Sequence, residues 1–336
     1  MSEILQDKIA GALYGMALGD AMGMPAELWG KERARRFFGK KIDRFLDGPK
    51  ESEVAFNYAH GQFTDDTGEA LVILDSIAAT DYVPDVRDIA LRMIAWAEKE
   101  NAWENNILGP TSKVALANFR DGIQDTKPTD KALSNGSAMR IPPIGCLFTP
   151  DRKQELVEYV YGVSRATHTS DVTIAGAAMI AMGISSAIVN DDFDQVVADI
   201  LDIEDLGYKR GCESFSPRLK ERTKIALQLA DQYKEDEDTF LQKIYDVVGT
   251  GVCIIESVPA AIAVAYYAQD PNRCCLMCAN MGGDTDTIGA MATAICGAFK
   301  GASFIKPEYI ETLRKQNDVD FDAYIDILLK GREKLK

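Results

Sequence analysis

The sequence offers little that would favour a nucleic-acid, zinc or membrane protein. Its 336 residues carry 52 acidic against 37 basic side chains, a formal charge of −15, which disfavours an extended polyanion as partner. It has only two histidines. No uninterrupted apolar stretch approaches the ~20 residues of a transmembrane helix, and the N-terminus lacks the basic segment of a signal peptide. We therefore expect a cytoplasmic protein without nucleic-acid or membrane partners.

The seven cysteines are an odd number and are scattered between positions 146 and 296, mostly in apolar helical surroundings. This distribution indicates reduced thiols rather than a disulfide framework. The stretch CLMC, residues 275–278, has the spacing of half a zinc site, but no second Cys or His pair follows nearby. We favour the alternative that Cys274 and Cys278 are small core residues at helical spacing.

Alternating, strand-like runs are also scarce, and helical periodicity dominates the sequence. Apolar residues recur at intervals of three and four in residues 3–23, 85–100, 171–189, 216–233 and 321–336. Asp171 and the pair Ser216-Pro217 are expected to begin two of these helices. The predicted loops are residues 43–62, 120–137, 202–216 and 269–273. None is long enough for a linker, so we expect an all-α fold in one compact domain, residues 1–336.

Three helical stretches are rich in Gly, Ala and Ser, namely residues 10–26, 174–187 and 288–302. Small side chains let helix axes approach closely and leave space for a bound group. Taken singly, each stretch is better explained by tight packing.

Two acidic clusters precede predicted helices: FTDDT at residues 63–67 and DTDT at residues 284–287. One interpretation is helix capping, because Asp and Thr side chains accept hydrogen bonds from free backbone N–H groups. A cap needs one short polar side chain, however, and each cluster supplies several. Close unpaired carboxylates also raise one another's pKa, a cost that a divalent cation removes.

Asp and Thr offer only oxygen ligands, which suit hard ions such as Mg²⁺ or Mn²⁺. Four carboxylates in two clusters match a pair of ions ~3.5–4 Å apart, the spacing of two-metal hydrolytic sites. The hypothesis requires that two clusters far apart in the chain converge. From the chemistry alone, a two-metal phosphoesterase is an alternative.

Five motifs, in order along most of the chain, resemble those of the ADP-ribosylglycohydrolase family, which includes the dinitrogenase-reductase-activating glycohydrolases. They are GALYGMALGDAMGMPAE, FTDDT, SNGSAMRIPPIG, THTSD and GGDTDTIGAMATAICGA. The stretch GTGVCIIESVPAAIAVA fits a less diagnostic part of the family pattern. Five ordered motifs are far more specific than one motif alone.

The resemblance implies an all-helical fold of orthogonally packed helices that binds two divalent cations, Mg²⁺ or Mn²⁺. By motif, the implied metal ligands are Thr64, Asp65, Asp66, Asp284, Asp286 and Thr287. Cations would then compensate the paired aspartates. Glu27 corresponds to a family glutamate at the catalytic centre or on a flap over it, and Asp65 and Asp66 would take part in catalysis. The alternative for Glu27 is an ordinary exposed acid beside Trp29.

The segment SNGSAMR resembles the part of the family that contacts the ribose and diphosphate of ADP-ribose. The implied substrate-binding residues are Asn135, Gly136, Ser137, Ala138 and Met139. Gly136 permits φ > 0 and a close backbone approach, and successive N–H groups there suit an anion. The alternative is a turn before a helix entered at Pro-Pro, and we expect Arg140 to pair with an internal carboxylate. His168 corresponds to a family histidine near the nucleotide, although a lone histidine before a capped helix is usually structural.

The substrate stays open, because the chain departs from the family pattern. Where some relatives place an acidic residue before a G-(P)-T-T/S stretch, the chain reads Asn105, Asn106 and Ile107, and no aromatic pair for stacking on adenine is evident. The expected activity is hydrolysis that removes an ADP-ribosyl group from a protein side chain or a small compound. The alternatives are hydrolysis of a nucleoside-like metabolite and a non-catalytic role like that of the crystallin relatives. A monomer is the default expectation.

Overall fold

The computed structural model describes residues 3–105 and 107–336. Within these ranges the chain forms eighteen α-helices and no β-strand, so the prediction of an all-α fold is confirmed. The helices are α1 (Glu3–Gly23), α2 (Lys31–Phe38), α3 (Asp65–Ala79), α4 (Val86–Lys99), α5 (Pro110–Arg120), α6 (Lys127–Asp130), α7 (Gly136–Met139), α8 (Pro142–Gly145), α9 (Lys153–Ser164), α10 (Asp171–Val189), α11 (Phe193–Arg210), α12 (Leu219–Gln232), α13 (Glu237–Lys243), α14 (Ile254–Ala268), α15 (Pro271–Ala279), α16 (Thr285–Lys300), α17 (Pro307–Gln316) and α18 (Phe321–Lys334).

Helices α1 and α16 lie against each other in antiparallel directions along a face without side chains. Four glycines of α1, each four residues from the next, form this face: Gly11, Gly15, Gly19 and Gly23. A Cβ atom on Gly19 would lie 1.9 Å from the Gly289 carbonyl oxygen, and one on Gly23 would lie 2.3 Å from that of Thr285. The spacing of four keeps the glycines on one side of the helix. This packing brings the C-terminal end of α1 to the N-terminal end of α16.

Helix α10 lies in the centre of the molecule, with nearly all of its side chains buried. Among the described residues it is the one helix long and apolar enough to cross a membrane by length and composition, and 94% of its apolar window is buried inside the protein. The expectation that no stretch reaches that length was therefore wrong. Gly, Ala and Ser alternate with the larger apolar residues, so the stretch does not read as one continuous apolar run. These small residues also let other helices pack around α10.

The helix boundaries agree with the sequence for α1 and α10, whereas α12 begins later than predicted. It starts at Leu219, so the expected start at Ser216-Pro217 was wrong. The buried Glu204 carboxylate instead accepts a hydrogen bond of 2.7 Å from the Lys220 backbone N–H in the first turn of α12. Residues 202–210, which we expected in a loop, complete α11 and supply this contact. Cys274 and Cys278 are buried residues of α15.

Candidate metal centre

The two acidic clusters meet in the structure. The Thr287 hydroxyl donates a hydrogen bond of 3.3 Å to Oδ1 of Asp66, across a separation of 221 residues. Thr287 lies in the first turn of α16 and Asp66 in the first turn of α3, so the N-terminal ends of two helices face one centre. Both ends carry the positive pole of a helix dipole, which favours nearby carboxylates.

Asp20 of α1 holds the first cluster in place, and sequence analysis missed this role. Its Oδ1 accepts a hydrogen bond of 2.8 Å from the Thr64 backbone N–H, and its Oδ2 accepts bonds from the Thr67 N–H and hydroxyl at 3.0 and 2.6 Å. Thr64 in turn caps α3 by accepting a bond of 3.5 Å from the Asp66 N–H. Helix capping therefore explains the position of Thr64, but it does not account for the carboxylates of Asp65 and Asp66.

Two glycines place the second cluster. Gly282 and Gly283 have φ of +82° and +87°, a left-handed region that other residues rarely adopt. A Cβ atom on Gly283 would lie 2.2 Å from the Thr250 carbonyl oxygen, which accepts a bond of 2.7 Å from the Asp284 N–H. Asp284 precedes α16 without capping it, and its Oδ2 accepts a short bond of 2.6 Å from the Asn135 side-chain amide.

The carboxylates form two overlapping groups. One oxygen each from Asp20, Asp66 and Asp286 lie within 4.8 Å of one another, and the same holds for Glu27, Asp284 and Asp286. Asp286 belongs to both groups. Asp66 Oδ2 and Asp286 Oδ1 are buried and have no hydrogen-bond partner. Buried, unpartnered carboxylate oxygens in an all-oxygen donor set fit hard divalent cations.

The carboxyl groups of the centre resist ionisation. Burial is the largest of the causes that raise the pKa of these groups, which are Asp20, Glu27, Asp65, Asp66, Asp284 and Asp286. The pKa rises to about 6 for Asp20 and Asp284, which also receive hydrogen bonds from Thr67 and Asn135 that oppose the rise. For Glu27 and Asp66, the Asp286 carboxylate is the largest charge that adds to it. Positive charge in the centre would relieve this repulsion.

Glu27 stands at the mouth of the centre, on the loop after α1. The Leu28 N–H donates a bond of 2.8 Å to the Gly283 carbonyl oxygen, and the Gly283 N–H donates one of 2.9 Å to that of Trp29. This pair of bonds ties the Glu27 loop to the turn that precedes Asp284. Glu27 is half-buried, and its carboxylate belongs to the same cluster as that of Asp284. It is therefore not an ordinary exposed acid.

The predicted substrate-binding segment forms the short helix α7. Gly136 is not among the residues with positive φ, so the helical turn does not use the backbone freedom that glycine permits. Its missing side chain leaves room for His168 instead, because a Cβ atom would lie 2.8 Å from the imidazole Cε1. Ser137 and Ala138 are fully buried, Met139 is 7% exposed, and the Ser137 hydroxyl donates to the Thr173 carbonyl oxygen at 3.1 Å.

His168 and Arg140 belong to a buried network behind this segment. The imidazole nitrogens of fully buried His168 lie 2.9 Å from the Ser134 hydroxyl and 2.8 Å from that of Thr167. Burial lowers the pKa of His168 well below its usual value, and the Arg140 charge lowers it further. Arg140 pairs with Glu69 at 2.5 Å, both 1% exposed, which confirms the expected internal carboxylate partner.

A cleft of about 780 Å³ adjoins the centre, between α3, α4 and residues 316–319. Its lining includes Thr64, which caps α3, together with Tyr58 and Trp96. Asn105 and Ile107, from the stretch that departs from the family pattern, also line it, while Asn106 lies outside the described residues.

Comparisons with known proteins agree with the fold and the motifs. A family model described as ADP-ribosylglycohydrolase matches residues 1–335. The chain is 43% identical to the uncharacterized protein YegU of Escherichia coli (strain K12), over 97% of this chain and 98% of that protein. It is 24% identical to the ADP-ribosyl-[dinitrogen reductase] glycohydrolase of Rhodospirillum rubrum, over 97% and 96% of the two chains.

A solved structure of an ADP-ribosylglycohydrolase-related protein complex has the same fold, with a TM-score of 0.69 at 18% identity over the whole of both chains. The resemblance stated from the motifs is confirmed by the family match, which covers all five of them. The chain belongs to the ADP-ribosylglycohydrolase family, whose members are hydrolases that act on glycosyl bonds.

Proposed function

We propose that this protein hydrolyses the glycosidic bond at the anomeric carbon of a ribosyl group and that ADP-ribosyl compounds are its substrates. The observation that carries the proposal is the convergence of the two acidic clusters on one buried centre. Asp286 belongs to both sets of neighbouring carboxylates in this centre. The similarity to a glycohydrolase of R. rubrum that acts on ADP-ribosylated dinitrogen reductase supports the choice of substrate.

Two divalent cations, Mg²⁺ or Mn²⁺, are the proposed cofactors. The residues that would hold them are Thr64, Asp65, Asp66, Asp284, Asp286 and Thr287. The unpartnered oxygens of Asp66 and Asp286 support this set, since a buried carboxylate oxygen is otherwise costly to leave without a partner. When bound, such cations supply positive charge that orients hydroxyl groups and makes water a better nucleophile.

The chain's own carboxylates have distinct proposed roles in the reaction. Water adds its oxygen to the anomeric carbon, the bond to the leaving group breaks, and the electron pair departs with the leaving group. Glu27, half-buried at the mouth of the centre, accepts the proton of the attacking water. Asp65, which is also half-buried, and Asp66 stabilise the positive charge that develops on the ribosyl ring.

Substrate binding by Asn135, residues 136–139 and His168 remains a prediction. The side chains of Ser137, Ala138 and His168 are fully buried, so any contact from them to a ligand would be through the backbone. We propose that His168 supports this segment from behind by filling the space over Gly136.

The decisive experiment is a substrate panel with Mg²⁺ and with Mn²⁺. It comprises ADP-ribosyl-arginine, ADP-ribosyl-serine, O-acetyl-ADP-ribose and free nucleosides, with products separated by chromatography. We expect free ADP-ribose as product and no turnover by Asp286→Asn. Release of AMP or phosphate would favour the phosphoesterase alternative, and cleavage of nucleosides alone would favour the metabolite hydrolase.

Tight ADP-ribose binding in calorimetry without any product would favour the non-catalytic role. The presence of both acidic clusters together with Glu27 argues for catalysis. A cytoplasmic location and a monomeric state are proposals as well, and size-exclusion chromatography with light scattering tests the second.

A further inference from the structure

The cleft beside the acidic centre is lined by none of the centre's own carboxylates. It measures about 780 Å³ and is continuous with Thr64, the residue that caps α3. Four residues of α3 at helical spacing line it: Gly68, Leu71, Val72 and Asp75. The cleft therefore runs along α3, away from the carboxylates.

Trp96 lies one helical turn from the centre along this cleft. Its indole lies against Gly68, where a Cβ atom would be only 3.0 Å from the ring atom Cζ2. The Gly68 N–H donates to the Thr64 carbonyl oxygen at 3.1 Å, and four residues advance about 6 Å along the helix axis. A planar group attached to a ribose seated at the centre would therefore reach the half-buried indole.

The charges in the cleft disfavour an anionic occupant. Its lining includes three carboxylates: Asp75, Glu100 and Asp318. Of the described lining residues, only Arg92 and Lys99 are cationic. Arg92 pairs with Asp88 at 2.7 Å, and Lys99 lies 3.6 Å from Glu100. A diphosphate would meet excess negative charge here, whereas a neutral or cationic group would not.

Tyr58 stands where the centre and the cleft join. Burial raises the pKa of its phenol, and the carboxylates of Asp65 and Glu27 raise it further, so the hydroxyl keeps its proton. The Tyr58 side chain lines the cleft, and its hydroxyl forms no hydrogen bond with the described residues. The hydroxyl is thus free to donate a hydrogen bond to a ligand or to accept one from it.

We propose that this cleft binds the leaving group of the hydrolysed bond, and that this group is planar, nitrogen-linked and neutral or cationic. It would stack on Trp96 and form a hydrogen bond with the Tyr58 hydroxyl, which can donate to a ring nitrogen of a nucleobase or accept from an N–H of a guanidinium. This inference rests on the proposed ribosyl hydrolysis. The bond between the anomeric carbon and the nitrogen breaks, its electron pair stays on the nitrogen, which takes up a proton, and the water oxygen bonds to the carbon. A nucleobase and a guanidinium group share this chemistry.

The test compares leaving groups on the same ribosyl part. ADP-ribosyl-arginine is paired with 1″-O-methyl-ADP-ribose, and adenosine with methyl riboside, so the two arms separate the guanidinium from the nucleobase. Trp96→Ala should lower kcat/KM about tenfold for the planar member of the cleaved pair, the size of a lost stacking contact. For the methyl member the change should stay within about twofold. Trp96→Phe should restore most of the loss.

Trp103→Ala is the matched control, because Trp103 lies outside the cleft and packs with Arg120. It should not separate planar from methyl leaving groups. The Tyr58→Phe variant lacks only a hydroxyl that has no described partner, so it should fold normally. It should slow the hydrolysis of the planar substrates alone. An equal fall for planar and methyl substrates in both the Trp96 and Tyr58 variants would overturn the cleft assignment and leave the proposed function standing.

If the wild-type protein cleaves neither pair, the full substrate panel still decides the proposed function, and direct binding decides the cleft separately. Adenine and methylguanidine are titrated into the protein while tryptophan fluorescence is recorded. Quenching that disappears in Trp96→Phe and persists in Trp103→Phe would support the assignment. Absence of binding by both compounds at millimolar concentration would overturn it.

Discussion

At the residue scale, one carboxylate organises the centre without belonging to either acidic cluster of the sequence. Asp20 accepts three hydrogen bonds from Thr64 and Thr67 and is fully buried. The sequence did contain a signal, since Asp20 is the one charged residue between Lys8 and Glu27, in an otherwise apolar helix. A buried charge in such surroundings must be compensated, which marks the residue as one that holds other polar groups.

Replacing Asp20 with asparagine should destabilise the protein even without cations. An amide has only one acceptor oxygen. Its NH₂ group would face N–H donors whose hydrogen bonds the carboxylate accepts in the wild type. We expect a loss of about 1–3 kcal/mol in the free energy of unfolding, the cost of a buried unsatisfied donor. Urea denaturation in EDTA measures it.

The control for this variant is Asp194→Asn, an exposed aspartate in the first turn of α11. It should change the free energy of unfolding by less than about 0.5 kcal/mol. Equal stability of Asp20→Asn and the wild type would show that Asp20 does not hold the loop.

His168 should make stability depend on pH. Because burial lowers the pKa of His168 in the folded state, the unfolded chain binds a proton near pH 6.5 while the folded protein stays neutral. The free energy of unfolding therefore decreases as the pH falls below 6.5, by up to about 1.4 kcal/mol per pH unit. His168→Gln should flatten this slope between pH 6.5 and 5.

Chemical denaturation at a series of pH values measures the slope. His60→Gln provides the comparison, since His60 is an exposed histidine beside Asp47. A His168→Gln profile that runs parallel to the wild-type profile would contradict the assignment of the slope to this residue.

At the element scale, the pairing of α1 and α16 sets the position of the acidic centre. The N-terminal end of α16 carries the second cluster, and the C-terminal end of α1 carries Asp20 and leads to Glu27. The Thr285 hydroxyl donates a bond of 2.8 Å to the Gly23 carbonyl oxygen and locks the two ends together. Close approach of these helices depends on their glycines.

Gly19→Ala should disrupt this pairing. The new Cβ atom would lie 1.9 Å from the Gly289 carbonyl oxygen, a backbone atom that cannot move aside alone. We expect a loss of about 3 kcal/mol or more in the free energy of unfolding, together with weaker cation binding. Thermal melting measures the first effect and calorimetry the second.

Gly109→Ala is the matched control, because a Cβ atom there would meet nothing within 4 Å and φ is an ordinary −59°. It should melt within a few degrees of the wild type. Normal stability of Gly19→Ala would mean that the helices are further apart than the structure shows.

The sequence predicted those elements whose cause is local. The bounds of α1 and α10 follow from their apolar periodicity and match residue for residue. The start of α12 does not, because its first N–H groups are satisfied by Glu204 from another helix rather than by Ser216. The same holds at the site: motifs named Asp66 and Asp286, but only the fold shows that Asn135 binds Asp284 and that Glu69 binds Arg140.

At the scale of the whole molecule, the centre joins parts from both ends of the chain. Asp20 and Glu27 come from the first thirty residues, and Asp284 and Asp286 from the last fifth of the sequence. The central segment adds Asn135, which contacts both Asp284 and Ser257. We propose on this basis that residues 1–336 form one domain, because both ends of the chain and its central segment contribute to the same centre.

Divalent cations should therefore stabilise the entire fold. A ligand that binds only the folded state adds about 2.7 kcal/mol to the free energy of unfolding at a concentration 100 times its Kd. We expect Mg²⁺ or Mn²⁺ to raise Tm by several degrees relative to EDTA. Asp286→Asn should abolish the rise, because this residue serves both carboxylate groups, yet its EDTA Tm should not fall, because the substitution removes mutual repulsion. Asp194→Asn should keep the full cation-dependent rise. A rise that survives Asp286→Asn would place the cations elsewhere in the molecule.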